Sequence, residues 1–150
     1  MTLSTAIRGK LRSALANAAV ADEIADLLTS LSGGIGGATF TIGTEDTNEI
    51  IVSIQILDAR GDAVAEVVSV EVLLFDDAAG ISFNTDDYTI AAGTDGALEQ
   101  VVADKILMCT TEADGDLDIS LTIIGAATTY LGIRLPDGRL VISDAVTHAA

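Results

Sequence analysis

Glu112, Asp114, Asp116 and Asp118 alternate around Gly115, a spacing that approaches a calcium loop. Calcium needs six or more converging oxygens, and the EF-hand pattern closes on a bidentate glutamate at its twelfth position, where this chain has Ile123. The same carboxylates interleave with Leu117 and Ile119, which places Asp116 and Asp118 on the wet face of a strand leaving a turn. Cys109 and the single histidine, His148, are the one possible nucleophile–base pair. His148 falls near the C-terminus, on what reads as a mobile tail, and Cys109 ends the apolar run Ile106-Leu-Met-Cys109, where a core thiol is expected. Asp76/Asp77 and Asp86/Asp87 fall in turns, where neighbouring side chains point apart and stay solvated, whereas a carboxylate dyad needs burial. No catalytic residue, metal site or cofactor is expected, and the chain reads as a non-enzyme.

Two loop features invite a binding role. Arg60-Gly61-Asp62 is a tripeptide bound by integrins, yet Asp58-Ala-Arg-Gly-Asp62 is also a tight turn between apolar strands. Tyr88 and Tyr130 are the positions around which a receptor or sugar site would form, against the ordinary expectation that strand tyrosines pack one face in the core. Composition offers such a site little, with three Phe, two Tyr and no Trp.

Charge divides the chain unevenly. Residues 1–37 carry Arg8, Lys10 and Arg12 against Asp22, Glu23 and Asp26, whereas the remainder carries four basic side chains against twenty acidic ones. The whole formal charge of −16 therefore sits on the later part, which repels other acidic surfaces. With 49% apolar residues, the 150-residue chain has enough for one well-buried domain plus an appendage. One Cys excludes an intrachain disulfide, and no apolar run approaches the ~20 residues that span a bilayer. The basic N-terminus lacks an uninterrupted apolar core before a cleavage site, so no signal peptide is expected.

The elements that would position these residues follow from periodicity. Leu3, Ile7, Leu11 and Leu15 recur every four residues, with Ser4 as N-cap and Gly9 as a weak point. A second helical pattern runs through Val20, Ile24, Leu27, Leu28 and Leu31, with Asp22 and Glu23 near its start, where negative charge suits the helix dipole. Two short helices cannot bury a core alone and must pack on the body, on copies of themselves or on another protein. Residues 1–32 are thus read as a docking or oligomerisation segment. Its interface residues are Ile7, Arg8, Lys10, Leu11, Arg12, Leu15, Ile24, Leu27, Leu28 and Leu31.

The glycine run at residues 33–37 reads as a linker, because a phosphate-binding loop needs a strand before it and a helix after it. From Ala38 the period becomes two. Ile50, Val52, Ile54 and Ile56 share one face; Val64, Val68, Val70, Val72 and Leu74 share another; Leu117, Ile119, Leu121 and Ile123 alternate with polar residues. Further strands are expected at 39–43, 88–91, 98–102, 105–111, 128–135 and 139–147, separated by turns at 60–62, 77–80, 114–115 and 136–138. The fold expected is mainly β, an immunoglobulin-like antiparallel β-sandwich over residues 38–150 preceded by the two-helix segment.

Ile54-Gln-Ile-Leu-Asp-Ala-Arg-Gly-Asp-Ala-Val-Ala-Glu66, Val102-Ala-Asp-Lys-Ile-Leu107, Glu112-Ala-Asp-Gly-Asp-Leu-Asp118 and Leu135-Pro-Asp-Gly-Arg-Leu140 resemble β-modules of tailed-bacteriophage structural proteins. The phrases Leu3-Ser-Thr-Ala-Ile-Arg-Gly-Lys-Leu-Arg-Ser-Ala-Leu15 and Ala21-Asp-Glu-Ile-Ala-Asp-Leu-Leu28 are similar to helical N-termini of phage head-associated proteins. The resemblance implies a virion component, a capsid decoration (cement), head-fibre or tail-fibre protein. The lack of long distal repeats favours decoration of the capsid exterior. Its implied partners are the major capsid protein and further copies of itself, a trimer foremost, with neither nucleic acid nor membrane; synthesis would be in the host cytoplasm. Two other readings stay open: a receptor- or sugar-binding β-module of a head or tail fibre, and an acidic mimic of nucleic acid.

Overall fold

The computed structural model describes residues 34–150, and the helical segment expected at 1–32, with all its interface residues, lies outside the described residues. Ten strands follow in chain order: β1 (Ile35–Ile42), β2 (Glu49–Asp58), β3 (Ser69–Phe75), β4 (Thr89–Ala92), β5 (Ala97–Val102), β6 (Ile106–Thr110), β7 (Asp116–Thr122), β8 (Ala127–Arg134), β9 (Leu140–Ile142) and β10 (Val146–His148). They form two antiparallel sheets, ordered β1-β2-β7-β4 and β10-β8-β3-β6-β5, with β9 beside β10 on the same edge of β8.

Alternation builds the core directly. Ile50, Val52 and Ile54 of β2 sit in register with Leu121, Ile119 and Leu117 of β7, so one face of that pair is wholly aliphatic. Val70, Val72 and Leu74 of β3, Leu107 and Cys109 of β6, and Leu131 and Ile133 of β8 meet it from the other sheet. Each of these side chains is essentially withdrawn from water, and burial of a Val, Leu or Ile contributes about 1.5–3 kcal/mol. The mainly β, two-sheet character expected from the sequence is present.

Three boundaries differ. The first strand starts at Ile35, inside the run read as a linker, and Ile35 and Gly37 pair with Asp58 and Leu57. A Cβ on Gly36 would lie 2.4 Å from Ala59 Cα, so this glycine serves close backbone approach at a bulge rather than flexibility. Val64 faces the core as expected but precedes β3; its N–H donates to Ile56 O at 2.9 Å and holds the loop against β2. The single strand expected at 139–147 is two, divided where Ser143 N–H donates to Leu131 O.

The C-terminus departs furthest from expectation. His148 is not on a mobile tail: it is 1% exposed, paired through β10 with Ala127, and its Nε2 lies 3.1 Å from Leu121 O. Val146, fully buried, anchors the last strand on β8, and the imidazole follows into the space beside Tyr88.

Candidate functional site

The residues with chemical potential are dispersed by the fold. Cys109 and His148 stand on strands β6 and β10, three inter-strand steps apart in one sheet and at opposite ends of it: Cys109 pairs with Val70, beyond the Arg134 end of β8, whereas His148 pairs with Ala127 at its start. Burial pushes the Cys109 thiol up to about 12, which leaves it protonated and inert at neutral pH. Tyr88 is buried rather than displayed on a loop, and burial, with Asp86 and Asp76 nearby, raises its hydroxyl to about 12. Tyr130 is half-buried on β8, in register with Phe75.

The acidic loop is a turn and a strand face. Gly115 N–H donates to Glu112 O, and a Cβ at Gly115 would meet Val64 O at 2.4 Å. Asp118 lies under Gly93 and accepts hydrogen bonds from Ser53 Oγ and Thr94 Oγ1, both at 2.6 Å. Its burial raises the carboxyl pKa, but those two hydroxyls and the Thr94 and Asp95 N–H groups outweigh it and hold the group below its ordinary 3.8. Asp95 is raised, first by desolvation and then by Asp118, Asp116, Glu112 and Asp114. Among the described residues no group of three or more His, Cys, Asp or Glu side chains is placed to hold a metal ion.

Other carboxylates form turns. Asp58 accepts the Arg60 and Asp62 N–H groups, so Arg60-Gly61-Asp62 is the tip of a turn closed by its own aspartate, with Gly61 at φ +86°. Asp76 accepts Thr85 N–H and Oγ1. The Asp104 carboxyl is raised, first by burial and then by the neighbouring charge of Asp87.

What alternation did not reveal is an apolar hollow on the outer face of the second sheet. Leu73 and Phe75 of β3 point away from the core, yet each is almost fully buried. Loop 76–83 folds back over them. Asp77 accepts N–H groups of Ala79, Ile81 and Ser82, and these bonds, Ser82 first, hold its carboxyl below the ordinary range. Phe83 then stacks on Phe75 with centroids 5.4 Å apart. The result is an open groove of about 390 Å³ between this loop and β9, with Arg134 at its edge. Ile81 projects from the wall 82% exposed and Phe83 is 41% exposed. Arg139, next to Leu140 in the groove, reaches Gly36 O with Nη2 at 3.3 Å, so the start of β1 adjoins this site. The sequence signal was the unbroken Val72-Leu-Leu-Phe75, two residues more apolar than alternation requires.

No protein-family model matches the chain, and no curated protein matches it. Among solved structures, it is similar to a cohesin module of a family 33 glycoside hydrolase from Clostridium perfringens, at 17% identity and TM-score 0.41, over 77% of this chain and 94% of that one. The GAE domain of GGA2p from Saccharomyces cerevisiae matches at 9% identity and TM-score 0.20, over 75% and 86%. MtrC from Shewanella baltica matches at 14% identity and TM-score 0.26, over 89% of this chain and 27% of that one.

Proposed function

We propose that this chain is a structural virion protein, a decoration or cement protein that binds the outer surface of a phage capsid as a trimer and stabilises it. The observation that carries this reading is the division of the chain. A charge-balanced, periodically apolar segment precedes an acidic β-sandwich that bears the −16 net charge. Residues 1–32 supply Ile7, Leu11, Leu15, Ile24, Leu27, Leu28 and Leu31 for burial against the major capsid protein or another copy, and Arg8, Lys10 and Arg12 for acidic partners. The body projects outward and keeps particles apart. A protein that binds only the assembled, expanded shell stabilises it by mass action, and three-fold sites recruit trimers. The body is read as immunoglobulin-like in its two-layer outline alone, since β2 pairs with β7 here, whereas the second strand of an immunoglobulin domain pairs with the fifth.

Cosedimentation with expanded, empty heads of the source phage tests this. The intact chain is expected to bind saturably, and Leu11→Glu with Leu15→Glu to abolish binding. A truncated form begins at residue 34 rather than 38, because Ile35–Gly37 belong to the first strand. No binding by the intact chain overturns the proposal. The alternative, a receptor- or sugar-binding module of a head or tail fibre, loses one of its two anchors because Tyr88 is buried.

A further inference from the structure

We infer that copies of this chain join head to tail by strand addition, the open edge of β1 in one copy pairing antiparallel with the open edge of β4 in the next. The joint is the contact of the proposed trimer and rests on that reading only for the number of copies.

The backbone fixes what each edge offers. Among the described residues no strand pairs with the outer side of β1 or of β4, the two rims of one sheet. Gly43 N–H donates to Ile51 O and Gly93 N–H to Asp118 O, so both glycines face their neighbours within the sheet. Residues in the alternate phase point N–H and C=O outward: Ala38, Phe40 and Ile42 on β1, Ile90 and Ala92 on β4. On both rims such residues carry the core-facing side chains, Phe40 in register with Ile54 and Ile90 with Leu121. Residues directly opposite in an antiparallel pair share a face, so the two rims match in pleat. They match in direction too, because the first and last strands of a four-stranded antiparallel sheet run oppositely.

Charge singles out the same two rims. Residues 34–44 and 88–94 hold no charged side chain, on a body with twenty acidic and four basic ones. The other sheet protects its rims: β5 carries Glu99 and a bulge after Gln100, and β9 and β10 have three residues each. By contrast β1 is eight residues long, and Ala38, Phe40 and Ile42 pack against the core only partly buried. The core is thus open along this edge, and an added strand covers it. Two bodies that repel each other elsewhere meet here through backbone and apolar side chains. Setting Phe40 opposite Ile90 places Ala38 opposite Ala92 and Thr39 opposite Ala91.

Sedimentation velocity of the free full-length protein tests the joint. The intact chain is expected to be a trimer. Ala38→Pro and Ala92→Pro each remove one outward N–H while leaving the bonds to β2 and β7 in place, and each is expected to give monomers. Mixed, they are expected to form dimers, since each keeps one intact rim. Thr39→Cys with Ala91→Cys puts two thiols on Cα atoms about 4.5 Å apart across the joint, and a disulfide between chains is expected on non-reducing gels. Cys109 is buried and takes no part. This cross-link needs no proline and reads the joint even if a proline variant unfolds. A monomeric intact chain overturns the inference, as does a trimer that survives either proline. So do dimers locked by Thr39→Cys with Thr41→Cys, which would show β1 paired with itself. An assembly that needs both rims but counts other than three upholds the joint and overturns the trimer, and capsid binding bears on neither result.

Discussion

Tyr88 and His148 each bury a polar atom, Oη and Nδ1, that has no hydrogen-bond partner among the described residues, although their rings sit 5.6 Å apart. A buried hydroxyl without a partner costs about 1–3 kcal/mol of desolvation, so Tyr88→Phe is expected to raise stability by roughly 1 kcal/mol in urea unfolding. A hydroxyl that matters for a ligand would instead show as lost binding with stability unmoved. Alkali gives a second handle on the same interior. Folding raises Cys109 from 9.0 to about 12 and Tyr88 from 10.0 to about 12, so the unfolded chain releases these protons first. Their contribution is complete below pH 9.0 and drains away as pH rises toward about 12. Unfolding temperature is expected to drop steeply over that interval, and Cys109→Ala combined with Tyr88→Phe to flatten the drop. Cys109 was legible as a core thiol because its neighbours are apolar. His148 was not, since nothing in Thr147-His-Ala-Ala150 signals that β8 has an open edge for it.

At the level of elements, the glycine run separates two uses of one residue type. A Cβ at Gly34 would meet nothing within 4 Å, whereas at Gly36 it would strike Ala59 and the Asp58 carbonyl at 2.4–2.7 Å. Gly34→Ala is therefore expected to change stability by less than about 0.5 kcal/mol, and Gly36→Ala to cost roughly 1–3 kcal/mol through displacement of β1. Equal effects in thermal melts would restore the linker reading. Composition could not separate them, because the contact that defines Gly36 is with residues 58 and 59, more than twenty positions away. Strands β2 and β6 were readable because a single buried face forces alternation; β7 was readable from its aliphatic inner face, although Asp118 and Ser120 on its other face, expected to be wet, are buried as well. β3 was misjudged at both ends, since Val64 packs from a loop and the outward Leu73 and Phe75 are covered by a loop whose return depends on Asp77. The last strand is a further case: Val146 is fully buried, so a chain ending at Asp144 loses that side chain and the His148 ring. It is expected to be less stable by roughly 3–5 kcal/mol or to remain unfolded, as read by circular dichroism.

Over the whole molecule, electrostatic self-repulsion competes with a core that owes almost nothing to charge. The sandwich carries twenty acidic and four basic side chains, and Arg134 and Arg139 are already paired with Glu71 and Asp137. Screening should relieve the excess: the Debye length falls from about 10 Å at 0.1 M to 3 Å at 1 M, and added sodium chloride is expected to raise the melting temperature by about 2–4 °C. Moderate acid should act in the same direction by a different route. Asp95 and Asp104 have folded pKa values above 3.8, so the folded state takes up their protons before the unfolded state does, and lowering the pH toward that range stabilises it. Asp118, Asp77 and Asp137 are displaced the other way; their contribution is present above 3.8 and is lost as pH falls through their lower folded values. Stability against pH should thus peak on the acid side of neutrality and collapse below 3.8, with Asp95→Asn removing part of the rise and Asp118→Asn part of the collapse. A curve that falls steadily from pH 7 downward would mean that repulsion among the carboxylates is negligible. The acidity of the body would then have to be explained by what it faces rather than by what it costs the fold.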